Sequence, residues 1–293
     1  MNPAFEQRSL TYRQHIADYL KAYLDKFQQE PQRDLYSAME YSLLAGGKRL
    51  RPVLAMEFCR VCGGDWKAAT PFAAAVEMIH TYSLIHDDLP CMDNDDFRRG
   101  RLTNHKVYGE GLAVLAGDAL LTDAFMVASW TELPENQSMA TAIALLAECA
   151  GSAGMVGGQV LDIMSQQRLL TEQEVLDIQT RKTGGLISAA CALGAMAGGA
   201  SEEQFDAACR FAAGLGLAFQ IRDDMLDTIG TQEEMGKGVG TDADKNTFVR
   251  LYGLEKCEEL VQTYTNYALE SLAFFEDTAY LKELAESLTA RRN

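Results

Sequence analysis

Two clusters of aspartates, far apart in this 293-residue chain, are the residues whose types and spacing could do chemistry. The first is the run DDLPCMDNDD from Asp87 to Asp96, and the second is the run DDMLD from Asp223 to Asp227. Each follows a mostly apolar stretch that predicts a buried helix. Carboxylates crowded at the end of such a helix repel one another and are costly to desolvate, and cations relieve both problems. These hard oxygen ligands suit Mg²⁺, which binds through one or two carboxylates together with substrate phosphates.

The two clusters differ in how a helix would present them. Asp223 and Asp227 are four residues apart, so both point to the same side of a helix. Asp93 is six residues after Asp87, and an unbroken helix would separate them around its axis. Pro90 prevents an unbroken helix because it removes a hydrogen bond and disfavours helical geometry at the residue before it. We therefore expect a local bulge that returns Asp93 toward Asp87.

Simpler interpretations of these patterns remain open. A single Asp-Asp-x-x-Asp run is more often a solvated acidic helix end, and it is the pair of runs after apolar segments that favours a metal site. A calcium loop beginning at Asp93 is disfavoured, since Arg98 stands where that loop requires glycine. Cys59 and Cys62 form a lone C-x-x-C without a second pair, which indicates helix-face cysteines rather than zinc ligands.

Three basic groups accompany the aspartates in a chain whose formal net charge is −16. They are the segment GGKRLRP at 46–52, the segment RRG at 98–100, and the lysines Lys237 and Lys245. Glycine permits close approach of the backbone, and the arginine fork matches phosphate oxygens. Any one group alone would more often be a surface salt bridge. The net charge makes nucleic acid a poor partner, so an anionic substrate would need these groups or metal ions.

The remaining sequence predicts an all-α chain. None of the six prolines lies beyond Pro134, and the composition favours long helices, whereas no strand-like alternation or hairpin turn is evident. The pairs Thr171 with Glu174 and Ser201 with Gln204 fit capping boxes. We predict one domain, 1–293, of about ten helices. Their ranges are 5–28, 33–45, 52–62, 71–88, 111–131, 138–152, 155–166, 172–197, 202–229 and 247–290, the last broken.

The sequence constrains the cellular location and the oligomeric state of the protein less than it constrains the fold. We find no uninterrupted apolar stretch of spanning length and no secretory h-region near the N-terminus, so we predict no membrane span. Seven irregularly spaced cysteines favour a reducing cytoplasm over a disulfide framework. The predicted helix over 111–130 is apolar nearly all round, which indicates either a buried helix or one in an interface.

Six motifs resemble the trans-prenyltransferase (polyprenyl diphosphate synthase) family, in that family's order, from about residue 35 to 250. They are GGKRLRP at 46–52, SLIHDDLP at 83–90, RRG at 98–100, GD at 117–118, KTG at 182–184 and FQIRDD at 219–224. The bacterial farnesyl diphosphate synthases resemble the chain most, followed by geranylgeranyl diphosphate synthases. The resemblance implies an isoprenoid-synthase helical bundle around a central cavity, a homodimer, and Mg²⁺ as cofactor, roughly three ions per site with diphosphate bound, with Mn²⁺ as the alternative.

The resemblance also implies a role for each matching residue. The magnesium ligands are Asp87, Asp88, Asp93 and Asp223, with Asp224 and Asp227 in support. The allylic diphosphate is bound by Arg98, Lys182, Lys237 and Lys245. Isopentenyl diphosphate is bound by Lys48, Arg51, His80 and Arg99. The developing allylic cation is faced by Thr183 and Gln220. His80 fits a satisfied core histidine equally well, and the alignment at Lys245 could shift by one residue.

The implied reaction is ionisation of the allylic diphosphate, condensation with isopentenyl diphosphate, and proton loss. We find no obvious general base in the motifs, and the family assigns that task to the departing diphosphate. Tyr82 and Ser83 lie five and four residues before Asp87, roughly 6–8 Å along the helix from the metal end. Tyr82 is either a core residue or the side chain that closes the end of the pocket and stops the growing prenyl tail. By resemblance we expect (2E,6E)-farnesyl diphosphate, a C15 product, with the C20 product as the alternative.

Two other functions compete with chain elongation. A terpene cyclase would share paired acidic clusters but would not need Lys48 and Arg51 for a second diphosphate. A non-catalytic subunit of a heteromeric synthase should have lost an acidic cluster, and this chain keeps both.

Overall fold

The computed structural model describes residues 2–165, 168–233 and 247–291, and it confirms the all-α prediction. The helices are α1 Pro3–Asp25, α2 Arg33–Leu43, α3 Leu50–Val61, α4 Thr70–Asp87, α5 Asn104–Tyr108, α6 Glu110–Ala128, α7 Met139–Ala150, α8 Met155–Ser165, α9 Glu172–Gln179, α10 Gly185–Ala197, α11 Glu202–Glu233, α12 Phe248–Ser271 and α13 Ala279–Thr289. Short 3₁₀ helices occupy Trp66–Ala69 and Leu272–Phe274, and a π-helical turn occupies Thr180–Gly184.

The chain divides into two compact units. The N-terminal unit comprises residues 2–143 and 196–199, and the C-terminal unit comprises the described residues within 144–195 and 200–293. The boundaries fall within the residue ranges of α7 and α10. The prediction of a single domain stays a prediction.

Helix α4 forms the centre of the N-terminal unit and packs against α3 and α6. Its sequence is apolar on all sides from Phe72 to Ile79, and every residue of that stretch is buried, the acid Glu77 included. Such a helix must be enclosed, because no face of it is suited to water. At its end, the His86 ring lies 3.0 Å from the Val114 carbonyl and fills the space beside Gly117, where a Cβ atom would overlap it.

In the C-terminal unit, α11 packs along α12. Gly214 permits the close approach, since a Cβ atom there would lie 2.7 Å from the Tyr264 carbonyl oxygen. Ile221, Met225 and Phe248 belong to the buried cluster that joins the end of α11 to the start of α12. This cluster fixes the part of α11 that carries the second aspartate run.

Three local features differ from the sequence prediction. Residues 172–197 are not one helix, because the π-helical turn at Thr180–Gly184 separates α9 from α10. A hairpin that we did not predict pairs Phe97–Arg98 with Arg101–Leu102. Its turn residues Arg99 and Gly100 both have positive φ, 54° and 75°, as a two-residue turn with this strand twist requires. Helix α5 was also not predicted.

Two helical stretches, Glu110–Ala128 and Met139–Ser165, are long and apolar enough to cross a membrane by length and composition. These two criteria do not separate a membrane span from the core helix of a water-soluble protein.

Candidate active site

The first aspartate cluster lies where α4 ends and the chain folds back. The Asp93 N–H donates to the Asp87 carbonyl at 2.8 Å, and the Asn94 N–H donates to the Leu89 carbonyl at 3.1 Å. Asn94 adopts a positive φ of 55° to close this loop. The break at Pro90 therefore returns the backbone of Asp93 to Asp87, as the sequence predicts.

Asp88 is tied to the hairpin instead of pointing to solvent. Its side chain is buried, and the Arg98 guanidinium donates to it through Nε at 2.8 and 3.0 Å and pairs with it through Nη2 at 2.7 Å. Burial raises the pKa of Asp88, and Arg98 opposes that rise. The pair holds the hairpin, and with it Arg99, against the end of α4.

Arg51, His80 and Arg99 form a cationic cluster in the N-terminal unit. The pKa of His80 lies well below its usual value of 6.5, first because of burial and then because of Arg51 and Arg99. The Arg51 Nε is buried without a hydrogen-bond partner among the described residues, and burial lowers the pKa of this arginine. Lys48, three residues before Arg51 in the sequence, is exposed. A desolvated, incompletely paired arginine beside a neutral imidazole is suited to bind an anion.

The glycine pair at 46–47 lets Arg99 reach this cluster. Arg99 Nη1 donates to the Gly46 carbonyl, and a Cβ atom at Gly47 would lie 3.0 Å from the Arg99 Cζ. Both glycines have positive φ, 83° and 119°. A side chain at Gly47 would both strain the backbone and displace the guanidinium.

Sequence reasoning missed a buried ion pair beneath the cluster. Arg49 adopts a positive φ of 50°, and its guanidinium pairs with Glu77 and donates to the Leu43 carbonyl at 2.5 Å. Glu77 also contributes a favourable charge to Arg51. The available signal was an acid within the apolar run of α4, because a buried carboxylate needs a cationic partner.

Tyr82 and Ser83 lie on α4 before the first aspartate. Tyr82 is 6% exposed, and its ring packs edge-on against His86 with 5.6 Å between the centroids. The Ser83 hydroxyl donates to the His80 carbonyl at 2.9 Å. Tyr82 is thus a buried side chain that packs against a residue of its own helix.

The second aspartate cluster lies near the end of α11, in the C-terminal unit. Asp223 is half-buried and accepts a hydrogen bond from Arg291 Nη2 at 2.7 Å, whereas Asp227 is exposed. Asp224 is buried, and it accepts from the Gln220 side chain at 3.0 Å and from the Phe248 N–H at 3.1 Å. Burial raises the pKa of Asp224 to about 6 against these hydrogen bonds, and Asp227 and Asp223 add to the rise.

Thr183 and Gln220, both expected at the site, are brought together. The Thr183 hydroxyl donates to Gln220 Oε1 at 3.0 Å, while Gln220 Nε2 donates to Asp224. The two bonds fix the amide orientation, because the oxygen and nitrogen of Gln220 each have one suitable partner. Asp224 thereby orients the Gln220 amide and also binds the backbone N–H of Phe248 at the start of α12.

Lys182 lies in the π-helical turn, a structure that is frequent at functional sites. Its Nζ lies 2.5 Å from Asp162 Oδ2 of α8, a partner that sequence reasoning missed. Gly158 makes this approach possible, since a Cβ atom there would lie 2.8 Å from the Lys182 Cα. The spacing of Gly158 and Asp162 was a signal: four residues apart, both face the same neighbour. Lys237 and Lys245 lie outside the described residues.

The aspartates fit a hydrated magnesium ion better than a closed metal cage. Within 2–165, 168–233 and 247–291, no three acidic, histidine or cysteine side chains converge to hold a metal unaided. Mg²⁺ usually binds one or two carboxylates and completes its shell with water and phosphate oxygens. The backbone fold that brings Asp93 back to Asp87, and the repulsion of Asp224 by Asp223 and Asp227, both suit a hydrated Mg²⁺ that binds few carboxylates.

Comparisons with known proteins place this all-α chain in the isoprenoid-synthase class of enzymes. The chain superimposes on a geranyltransferase from Legionella pneumophila with a TM-score of 0.86 and 33% identity, covering 99% of this chain and 98% of that one. The chain also superimposes on an FPP/GFPP synthase from Zymomonas mobilis with a TM-score of 0.83 and 36% identity, covering 95% of this chain and 98% of that one. The chloroplastic geranylgeranyl pyrophosphate synthase of Catharanthus roseus is 46% identical over 265 residues, which cover 88% of this chain and 74% of that one.

The family model described as polyprenyl synthetase matches residues 32–285. The chain therefore belongs to the polyprenyl synthetase family, and it is a prenyltransferase.

Proposed function

We propose that this prenyltransferase condenses isopentenyl diphosphate with dimethylallyl and then geranyl diphosphate, and that it ends at (2E,6E)-farnesyl diphosphate. The observation that carries chain elongation is the cluster of Arg51, His80 and Arg99. Burial, followed by the charges of Arg51 and Arg99, holds the pKa of His80 well below its usual value. The cluster would give a second diphosphate its own binding groups. A terpene cyclase has one diphosphate to bind and would not need them.

In this proposal, Asp87, Asp93 and Asp223 hold Mg²⁺ against the allylic diphosphate, with Asp88, Asp224 and Asp227 in support. The bound metal would supply Lewis-acid stabilisation of the leaving diphosphate. Lys182, oriented by Asp162, adds a fixed positive charge to the same leaving group. The Gln220 amide donates through its nitrogen to Asp224 and accepts through its oxygen from Thr183. In this orientation the side-chain oxygens of Gln220 and Thr183 can both face a developing allylic cation.

Tyr82 supports the C15 product. It is the large, buried side chain one and a half turns before Asp87, and the edge-on contact with His86 restricts its movement. A growing tail that meets a fixed phenol ring would stop earlier than one that meets a small side chain. The C20 product is the second candidate, favoured by the relatives named as geranylgeranyl synthases, among them those of Catharanthus roseus and Cyanophora paradoxa.

The test is incubation of the protein and Mg²⁺ with isopentenyl diphosphate and dimethylallyl or geranyl diphosphate, with products resolved by chain length. We expect C15 to dominate. Asp87→Ala and Asp223→Ala should each lower turnover about 100-fold or more, because each removes a charge that acts on the leaving group. Asp96→Ala is the matched control: it lies in the same run and pairs with Lys106 at 2.7 Å. Wild-type turnover in either of the first two variants would refute the metal assignment, and stoichiometric substrate binding without any product would favour a binding subunit.

We also propose a cytoplasmic homodimer. Val114, Leu115 and Met126 are exposed apolar side chains of α6, on a face that also carries Asp118 and Thr122, and exposed apolar side chains grouped on one helix are suited to contact with a second copy. All seven cysteines are unpaired, which fits a reducing compartment.

A further inference from the structure

Arg291, the last described residue, is fixed against the second aspartate cluster by three kinds of contact. Its Nη2 donates to Asp223 Oδ1 at 2.7 Å, its Nε donates to the Leu288 carbonyl at 2.9 Å, and its guanidinium carbon lies 4.7 Å from the centroid of the Phe219 ring. Its side chain is 18% exposed. An arginine held by an acid, a helix carbonyl and an aromatic face has a defined orientation.

The positions of these partners explain the geometry. Phe219 and Asp223 are four residues apart on α11, so they lie on the same face one turn apart. Leu288 supplies one of the last carbonyls of α13, which a basic side chain stabilises at a helix C-terminus. The guanidinium therefore joins the end of α13 to the aspartate-bearing face of α11, within the C-terminal unit.

The charges show what the contact does. Asp223 has Asp224 and Asp227 as acidic neighbours, and the charges of Asp223 and Asp227 both disfavour the ionised form of Asp224. Arg291 brings a positive charge to the aspartate proposed as the principal magnesium ligand of this cluster. A magnesium ion held by the same carboxylate would be repelled by the guanidinium, because both are cations.

We propose that Arg291 is a built-in counter-cation, which neutralises and orients Asp223 in the cation-free protein and is displaced when Mg²⁺ binds with diphosphate. This inference rests on the proposed function, since it concerns the same cluster. Arg291 is in this sense a positioning residue that competes with the metal.

The test is calorimetric titration of the full chain with Mg²⁺ and inorganic pyrophosphate. Arg291→Gln should bind more tightly than wild type by about two- to five-fold, the size expected for losing one partly exposed ion pair. Arg210→Gln is the matched control, because Arg210 also lies over an aromatic ring, that of Phe274 at 5.2 Å, and stands on α11 about 20 Å before Asp223 along the helix axis. The affinity of Arg210→Gln for Mg²⁺ and pyrophosphate should equal that of the wild type.

Thermal unfolding in a chelator supplies a readout independent of ligand. Arg291→Gln should lower Tm, and the loss should largely disappear in the Asp223→Asn background, where the charge to be neutralised is absent. Equal loss in both backgrounds would mean that Arg291 stabilises the helix end alone, and would overturn the inference. Equal or weaker magnesium–pyrophosphate binding by Arg291→Gln would also overturn it and leave the proposed function intact. Absence of binding by wild type would overturn the proposed function itself.

Discussion

Most of the charged site residues that the structure describes are held by a partner of opposite charge or by a hydrogen bond. Arg98 holds Asp88, Asp162 holds Lys182, and Arg291 holds Asp223. Each pair keeps a charge in place in the cation-free protein. Under the proposed function, the Arg291–Asp223 pair separates when Mg²⁺ and diphosphate bind.

Tyr82 provides a residue-scale test of product length. Tyr82→Ala removes a buried ring, so we expect the product to lengthen from C15 toward C20. Tyr82→Phe keeps the ring and is the control that should retain C15. Product chromatography after incubation with geranyl and isopentenyl diphosphate measures both. An unchanged C15 distribution in a folded Tyr82→Ala protein would show that another side chain limits the tail.

His80 provides a residue-scale test of pH dependence. Its pKa is lowered in the folded chain, so below pH 6.5 the unfolded chain takes up a proton that the folded chain resists. The free energy of unfolding should therefore fall as the pH drops below 6.5, and His80→Gln should reduce that loss. Urea unfolding at about pH 7.5 and about pH 5.5 compares the two proteins. His15, whose pKa burial also lowers, stays in both. An identical loss in both proteins would contradict the burial of His80 beside the arginines.

At the scale of elements, the site depends on places where regular helix is interrupted. The break after α4 returns Asp93 to Asp87, the hairpin turn carries Arg99, and the π-helical turn carries Lys182. Each interruption points a charged side chain in a direction that a continuous helix would not allow. The surrounding helices hold these strained or less regular turns in place.

Gly158 tests the packing of α8 against the π-helical turn. In Gly158→Ala the new methyl group would meet the Lys182 backbone, so we expect a loss of about 1–3 kcal/mol in the free energy of unfolding, together with lower turnover. Gly111→Ala is the control, since no atom lies within 4 Å of a Cβ built there. Denaturant unfolding measures both variants. A Gly158→Ala protein as stable as wild type would mean that the two segments can separate without cost.

At the scale of the whole molecule, α6 tests the proposed assembly. Leu115 on its exposed face is 57% exposed in the single chain, and Leu10 on α1 is 53% exposed. Leu115→Glu should convert a dimer into a monomer, because burying an unpaired carboxylate in an apolar interface is costly. Leu10→Glu, with similar exposure, should leave the mass unchanged. Light scattering after size exclusion measures the mass. A wild-type monomer would refute the homodimer.

The sequence by itself determined the all-α class, most helix bounds, both capping boxes and the break after Asp87, because these depend on residues close together in the chain. The resemblance to a family implied that Thr183 and Gln220 both face the allylic cation, and the structure adds that their side chains are hydrogen-bonded to each other. Only the tertiary structure decided the partners: Arg49 with Glu77, Lys182 with Asp162, and Arg291 with Asp223. These pairs join residues 28, 20 and 68 positions apart. Such contacts depend on how several helices pack together, and no local pattern encodes that arrangement.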